Sequence, residues 1–162
     1  MTATRWPSKE LLLQACAGTV AQNHPVLSAG LELSTLHVAR MNSSVLDIPV
    51  IDCARANVIH CVDRWVSAHG PETAGAAFLH TETLGMVIDR MAEYSVAAHA
   101  ALEQGVGEPH RHYLWRRVSE IALAYADLVS EIGAGRRRFP DFTDPWGPPR
   151  RILPRPVGHS PP

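Results

Sequence analysis

Charged residues set inside apolar, helix-patterned segments are where this 162-residue sequence offers chemistry. The stretch LHTETLGMVIDRMAEYS, residues 79–95, carries Glu82, Asp89 and Arg90 among mostly apolar neighbours. An earlier segment carries Asp52, Arg55 and Asp63. Gathered in one cleft, such carboxylates would offer oxygen ligands to a divalent cation, and two arginines would grip a phosphate or carboxylate. In an enzyme of that kind, Arg55 and Arg90 would hold the anion while Asp63, Glu82 or Asp89 bound metal or acted as general base. The spacing gives this little support, because no ExxH and no repeated carboxylate pattern is present. A divalent metal is therefore weighed but not favoured, no cofactor is assigned, and whether the protein is an enzyme stays open.

A structural reading of the same charges competes with the site. Projected on a helix, Arg55 falls about 40° from Ile51 and between Val62 and Val66, within the apolar stripe. A buried guanidinium must be paired. Asp52 three residues earlier is one candidate, and a carboxylate or His37 from another helix is a second. The alternative is that Arg55 lies along apolar surface and sends its head to water. The strings VDRW (residues 62–65) and IDRM (88–91) echo each other. If their helices pack antiparallel, Asp63 with Arg90 and Arg64 with Asp89 are expected to form reciprocal bridges, a structural clamp.

Other candidate motifs carry less. In HRH, residues 110–112, two histidines on one helix would point about 200° apart, which argues against chelation. His37 and His99 read as core histidines. No Ser or Cys sits in a glycine-flanked nucleophile turn. GAGRRR, residues 133–138, lacks the lysine and the following helix of a phosphate loop, and its glycine reads as a helix cap.

The elements that must position these residues are helical almost throughout, and no alternating strand is evident. The pattern predicts an all-α single bundle of about five helices. The first runs from Pro7 or Ser8 to about Gln22 and the second from Val26 to Asn42. On the second, Leu27, Leu31, Ser34, Val38 and Met41 mark one side, with Leu33 and Leu36 opposite. The third spans Ile48 to His69. The fourth starts with Thr81 as N-cap and Glu82 in its first turn, and the fifth runs from His110 to Ile132. The bundle domain is assigned to residues 1–134. A Pro/Arg-rich irregular tail follows at 135–162, too poor in apolar periodicity to fold alone.

With 15 basic and 16 acidic residues, the chain lacks the charge excess of a general nucleic-acid binder. No apolar run approaches a membrane span, and Glu10 interrupts the short leucine run that would otherwise suggest export. Cys16, Cys53 and Cys61 match no zinc spacing and read as reduced thiols of a cytoplasmic protein. Helices apolar on two sides suggest a homodimer. Phe139, Phe142 and Trp146 give the tail a means of docking on the domain or on a protein partner.

The string TETLGMVIDR, residues 81–90, together with LH at 36–37, Arg55, and VD at 62–63, resembles a bacterial domain-of-unknown-function family, number 4254. The likeness covers most of residues 30–100. It departs where the family has Asn before TET (His80 here), where it has Pro (Leu84 here), and in acidic residues after LH that reduce to Asp47. The resemblance implies an all-helical cytoplasmic protein and directs attention to His37, Arg55, Asp63, Thr81, Glu82, Thr83, Asp89 and Arg90. It implies no reaction. The leading expectation is an accessory or interaction module. The alternative is an enzyme or binding protein for an anionic small molecule, using those residues and Asp52.

Overall fold

A computed structural model describes residues 6–19, 23–72 and 75–142. Five helices make the body: α1 (Lys9–Cys16), α2 (Pro25–Asn42), α3 (Ile48–His69), α4 (Leu84–Glu103) and α5 (Glu108–Gly133). Two short strands, β1 (Phe78–Leu79) and β2 (Arg137–Arg138), lie outside them. The all-α expectation holds.

Local chemistry explains most boundaries. Ser8 caps α1 by accepting from the Leu11 amide, and α1 stops at Cys16 because Gly18 turns the chain at φ +77°, a conformation that favours glycine. The first helix is thus shorter than its apolar pattern suggested, and residues 20–22 of the expected span lie outside the described residues. Pro25 opens α2 in the first turn, where its missing N–H costs nothing, while His24 Nδ1 accepts from the Val26 amide. The expected start of the fourth helix shifts by two residues. Thr83 is the N-cap and accepts from the Met86 amide, whereas Thr81 is exposed in the preceding bend and Glu82 precedes the cap.

Helix α4 is the axis of the bundle, packed by α1, α2, α3 and α5. Leu84, Ile88, Met91, Ala92 and Ala98 on it are fully buried, and its small residues let neighbours approach. Among the described helices α3 packs on α2 and α4 alone, and its buried residues are Val58 and Val62. The stripe assigned to α2 needs correction. Leu27 and Ser34 are buried, but Leu31, Val38 and Met41 are exposed, and the core side is carried by Val26, Leu33 and His37. The reason is that Leu31, Val38 and Met41 line an open cleft between α2 and α4 instead of the packed seam.

A strand pair was not expected. Strand β1 pairs in parallel with β2, and the Phe78 and His80 amides donate to the carbonyls of Arg136 and Arg138 at 2.9 and 2.8 Å. Two residues per strand are too few for alternation to register in sequence. Beyond β2, Phe139 meets Trp6 edge-on, and Trp6 in turn meets Trp65 of α3. Residues 135–142 of the segment assigned to the tail therefore continue the folded body, and Trp146 lies outside the described residues. The buried Tyr125 hydroxyl donates to the Pro7 carbonyl at 2.9 Å, which fixes the start of the chain against α5.

Candidate functional site

The motif residues form two polar clusters along the seam of α3 with α4. In the first, Asp89 is buried on the face of α4 that meets α2 and α3. Arg55 donates to both of its oxygens, Nε to Oδ1 at 3.1 Å and a terminal nitrogen to Oδ2 at 2.6 Å, a bidentate geometry. His37 Nε2 lies 2.9 Å from the same Oδ1. Arg55 also donates to Asp52 at 2.8 Å, and Asp52 accepts from Arg40 of α2 at 2.9 Å. The result is a chain of hydrogen bonds and ion pairs, Arg40–Asp52–Arg55–Asp89–His37, that ties three helices together.

The electrostatics follow from this order. Burial is the largest single influence on Asp89 and would raise its pKa, but the hydrogen bonds from His37 and Arg55 together outweigh it and hold the carboxyl below its ordinary range. Arg55 is pushed further toward its charged form by the hydrogen bonds to Asp89 above all, with Asp52 adding to them. Both groups are thus fixed as ions.

The second cluster surrounds the start of α4. Asp63 accepts from the Gly85 amide at 2.9 Å and takes a hydrogen bond from the Thr83 hydroxyl. It satisfies one of the amide groups that a helix start leaves without a partner. Burial nevertheless raises its pKa, because these bonds offset only part of the desolvation. Gly85 is there for space: a Cβ would meet the Ile59 carbonyl oxygen at 2.5 Å and Asp63 Oδ1 at 2.9 Å. Arg90 pairs with Glu82 across the cap.

The expected reciprocal clamp is not formed. Asp89 takes Arg55 rather than Arg64, which is exposed, and Arg90 takes Glu82 rather than Asp63. The helices do run antiparallel, as the pairing of 63 with 85 and 55 with 89 requires. However, α4 is rotated so that Asp89 faces the earlier end of α3. Of the nine candidates, His37, Asp52, Arg55 and Asp89 are brought together. Asp63 and Thr83 form the cap, Glu82 pairs with Arg90, and Thr81 joins neither. Arg40 was missed. Its signal was its place three residues after His37, on the same side of α2.

A family model described as protein of unknown function (DUF4254) matches residues 34–140. The chain belongs to that family. No curated relative and no solved structure matches it. The matched span contains every member of both clusters, and within it the string TETLGMVIDR can be read as structure. Thr83 caps, Gly85 permits close approach, Ile88 fills the core, and Asp89 and Arg90 pair with Arg55 and Glu82.

What the arrangement can do chemically is limited by how fully it is engaged. Clefts of about 490, 420 and 340 Å³ are lined by residues other than His37, Arg55 and Asp89. Asp63 and Thr83 border a cavity of about 60 Å³ beside Phe139 and Phe142. Among the described residues, no group of three or more His, Cys, Asp or Glu is placed to hold a metal ion, and no helix is long and apolar enough to cross a membrane.

Proposed function

We propose that this DUF4254 chain is an accessory protein that works by contact with another polypeptide, its polar motif residues serving to set the packing of α2, α3 and α4. The observation that carries this reading is that all three guanidinium nitrogens of Arg55 donate to carboxylates within the protein. Its guanidinium is divided between Asp89 and Asp52, and His37 occupies Asp89 from the opposite helix. An anion-binding arginine would need donors aimed into an open cleft. Meanwhile large apolar side chains stand in solvent where α2 meets α3, as contact surfaces do. Free thiols at Cys16, Cys53 and Cys61 favour a reducing, cytoplasmic setting. A homodimer is part of the proposal.

The test is a thermal-shift titration of the full chain with inorganic phosphate, magnesium, manganese, nucleoside triphosphates and dicarboxylates. The proposal expects no dose-dependent rise. A site-specific ligand at a hundred times its Kd would add about 2.7 kcal/mol, several degrees for a chain of this length. A rise of that size that disappears in Arg55→Lys would replace the accessory reading with a small-molecule site.

A further inference from the structure

Six of the large apolar side chains exposed among the described residues, Leu31, Val38, Met41, Val45, Leu46 and Val50, gather about one corner. Val45 and Leu46, in the turn between α2 and α3, are 82% and 87% exposed, and Val50 in the first turn of α3 is 72% exposed. Beside them lies the cleft of about 490 Å³ between α2 and α4. Leu31, Val38, Met41, Val96 and Ala100 give it an apolar lining, with Asn42, His99, Glu103 and Gln104 also in its wall. A protruding apolar knob and an open groove of mixed lining thus sit side by side, with Met41 and Asn42 in the chain between Val38 and Val45.

We propose that this corner joins two copies of the chain, Val45 and Leu46 of each entering the α2/α4 groove of the other. The inference rests on the accessory-protein reading, because it takes polypeptide contact to be the purpose of this surface. Self-association is favoured over other occupants on two grounds.

The first is charge. Arg40 and Asp52 beside the corner neutralise each other, and Asp47 accepts from the Ser44 hydroxyl. Among the described residues lining knob and groove, no free cation is present to recruit an acidic partner or an anionic membrane, which would need basic residues at the surface. That leaves an apolar partner face, and the chain's own knob and groove provide one.

The second ground is geometry and area. The knob follows directly on the α2 end that walls the groove, so a two-fold arrangement in which each knob enters the other copy's groove makes two identical contacts and a closed dimer. Val38, Met41, Val45, Leu46 and Val50 together expose on the order of 600 Å², so two copies would bury about 1,200 Å², where specific stable interfaces begin. The groove combines apolar and polar lining, as such contacts do.

Light scattering and sedimentation of the full chain across the micromolar range test the proposal. A dimer is expected for the native sequence. Leu46→Asp in the knob and Leu31→Arg in the groove are each expected to weaken it at least tenfold while leaving helical circular dichroism unchanged, since both side chains face solvent. Mixing the two variants should restore a heterodimer: the intact knob of one meets the intact groove of the other, and the introduced carboxylate faces the introduced guanidinium across the second contact. A native chain that stays monomeric, or a dimer indifferent to both substitutions, overturns the proposal. Co-sedimentation of a monomer with anionic vesicles would overturn it in favour of a lipid surface. A monomer with a silent ligand titration sinks this interface and leaves the accessory reading standing, whereas a ligand response lost in Arg55→Lys sinks that reading itself.

Discussion

Replacing Arg55 by Ala separates a structural network from a ligand site by its effect on stability. In the native fold Arg55 makes three charge-assisted hydrogen bonds, two to Asp89 and one to Asp52. The Arg55 and Asp89 side chains retain 19% and 13% of their exposure, so water screens them only in part. Removing one partner of a buried pair costs about 3–5 kcal/mol, most of it the penalty of the charge left behind. Two features reduce that figure here. His37 remains on Asp89 at 2.9 Å, and Asp52 keeps Arg40. The expected loss is therefore about 2–3 kcal/mol, or roughly 5–10 °C in Tm for a chain of this length. Urea unfolding followed by circular dichroism at helical wavelengths is the assay, with the midpoint shifting and the slope unchanged if the folded state keeps its compactness. Replacing His37, Arg55 and Asp89 together by Leu, Met and Leu should recover most of the loss, because no buried charge is then left without a partner. An Arg55→Ala chain within about 0.5 kcal/mol of the native one, the range of ordinary surface substitutions, would refute the reasoning.

Gly85→Ala should destabilise by about 2 kcal/mol or more, since the Ile59 carbonyl at 2.5 Å from the new methyl belongs to a helix backbone and cannot step aside alone; a change under half that size would show that α3 and α4 separate freely. For pH, Asp89 has a lowered folded pKa, so its contribution is complete at neutrality and declines as pH falls below the ordinary carboxylate range, about 4. Asp63 has a raised folded pKa and works in the opposite sense, costing stability as pH rises through that value. The stability of Asp63→Asn relative to the native chain should therefore increase between acid and neutral pH, and a decrease would contradict the burial assigned to Asp63. Disulfide-exchange reagents should label Cys53 and Cys61 quickly and Cys16 only on unfolding, because Cys16 is enclosed and its pKa is pushed up to about 11. Three equally fast thiols would mean that α1 does not seat on α2.

How much of this was readable depended on the range of the interaction. Helices α2, α3 and α5 follow from apolar spacing and from Pro and Gly at their ends, which are properties of neighbours in the chain. The polar site was readable only as a set of residues. Arg55 announced itself by lying inside an apolar stripe, and Asp52 by standing three residues before it. The second partner of Arg55 depended on the rotation of α4 about its axis, which periodicity fixes only to within the width of a face. That rotation sent Asp89 to Arg55 and left Arg64 in solvent, so the symmetric clamp suggested by VDRW and IDRM did not form. The cap moved from Thr81 to Thr83 for a similar reason, since TET offers two hydroxyls of equal local merit. Gly85, held against Ile59, requires the later start.

The sequence by itself determined that the chain is helical, which segments form helices, and that a few charges lie where charges need partners, because helix periodicity and capping are set within a few residues. Only the tertiary structure decided which charges meet, that β2 returns to β1, and that Leu31, Val38 and Met41 remain uncovered. Each of those depends on the relative placement of segments distant in sequence, where apolar patterns say that a face must be covered but not by which neighbour or at what angle.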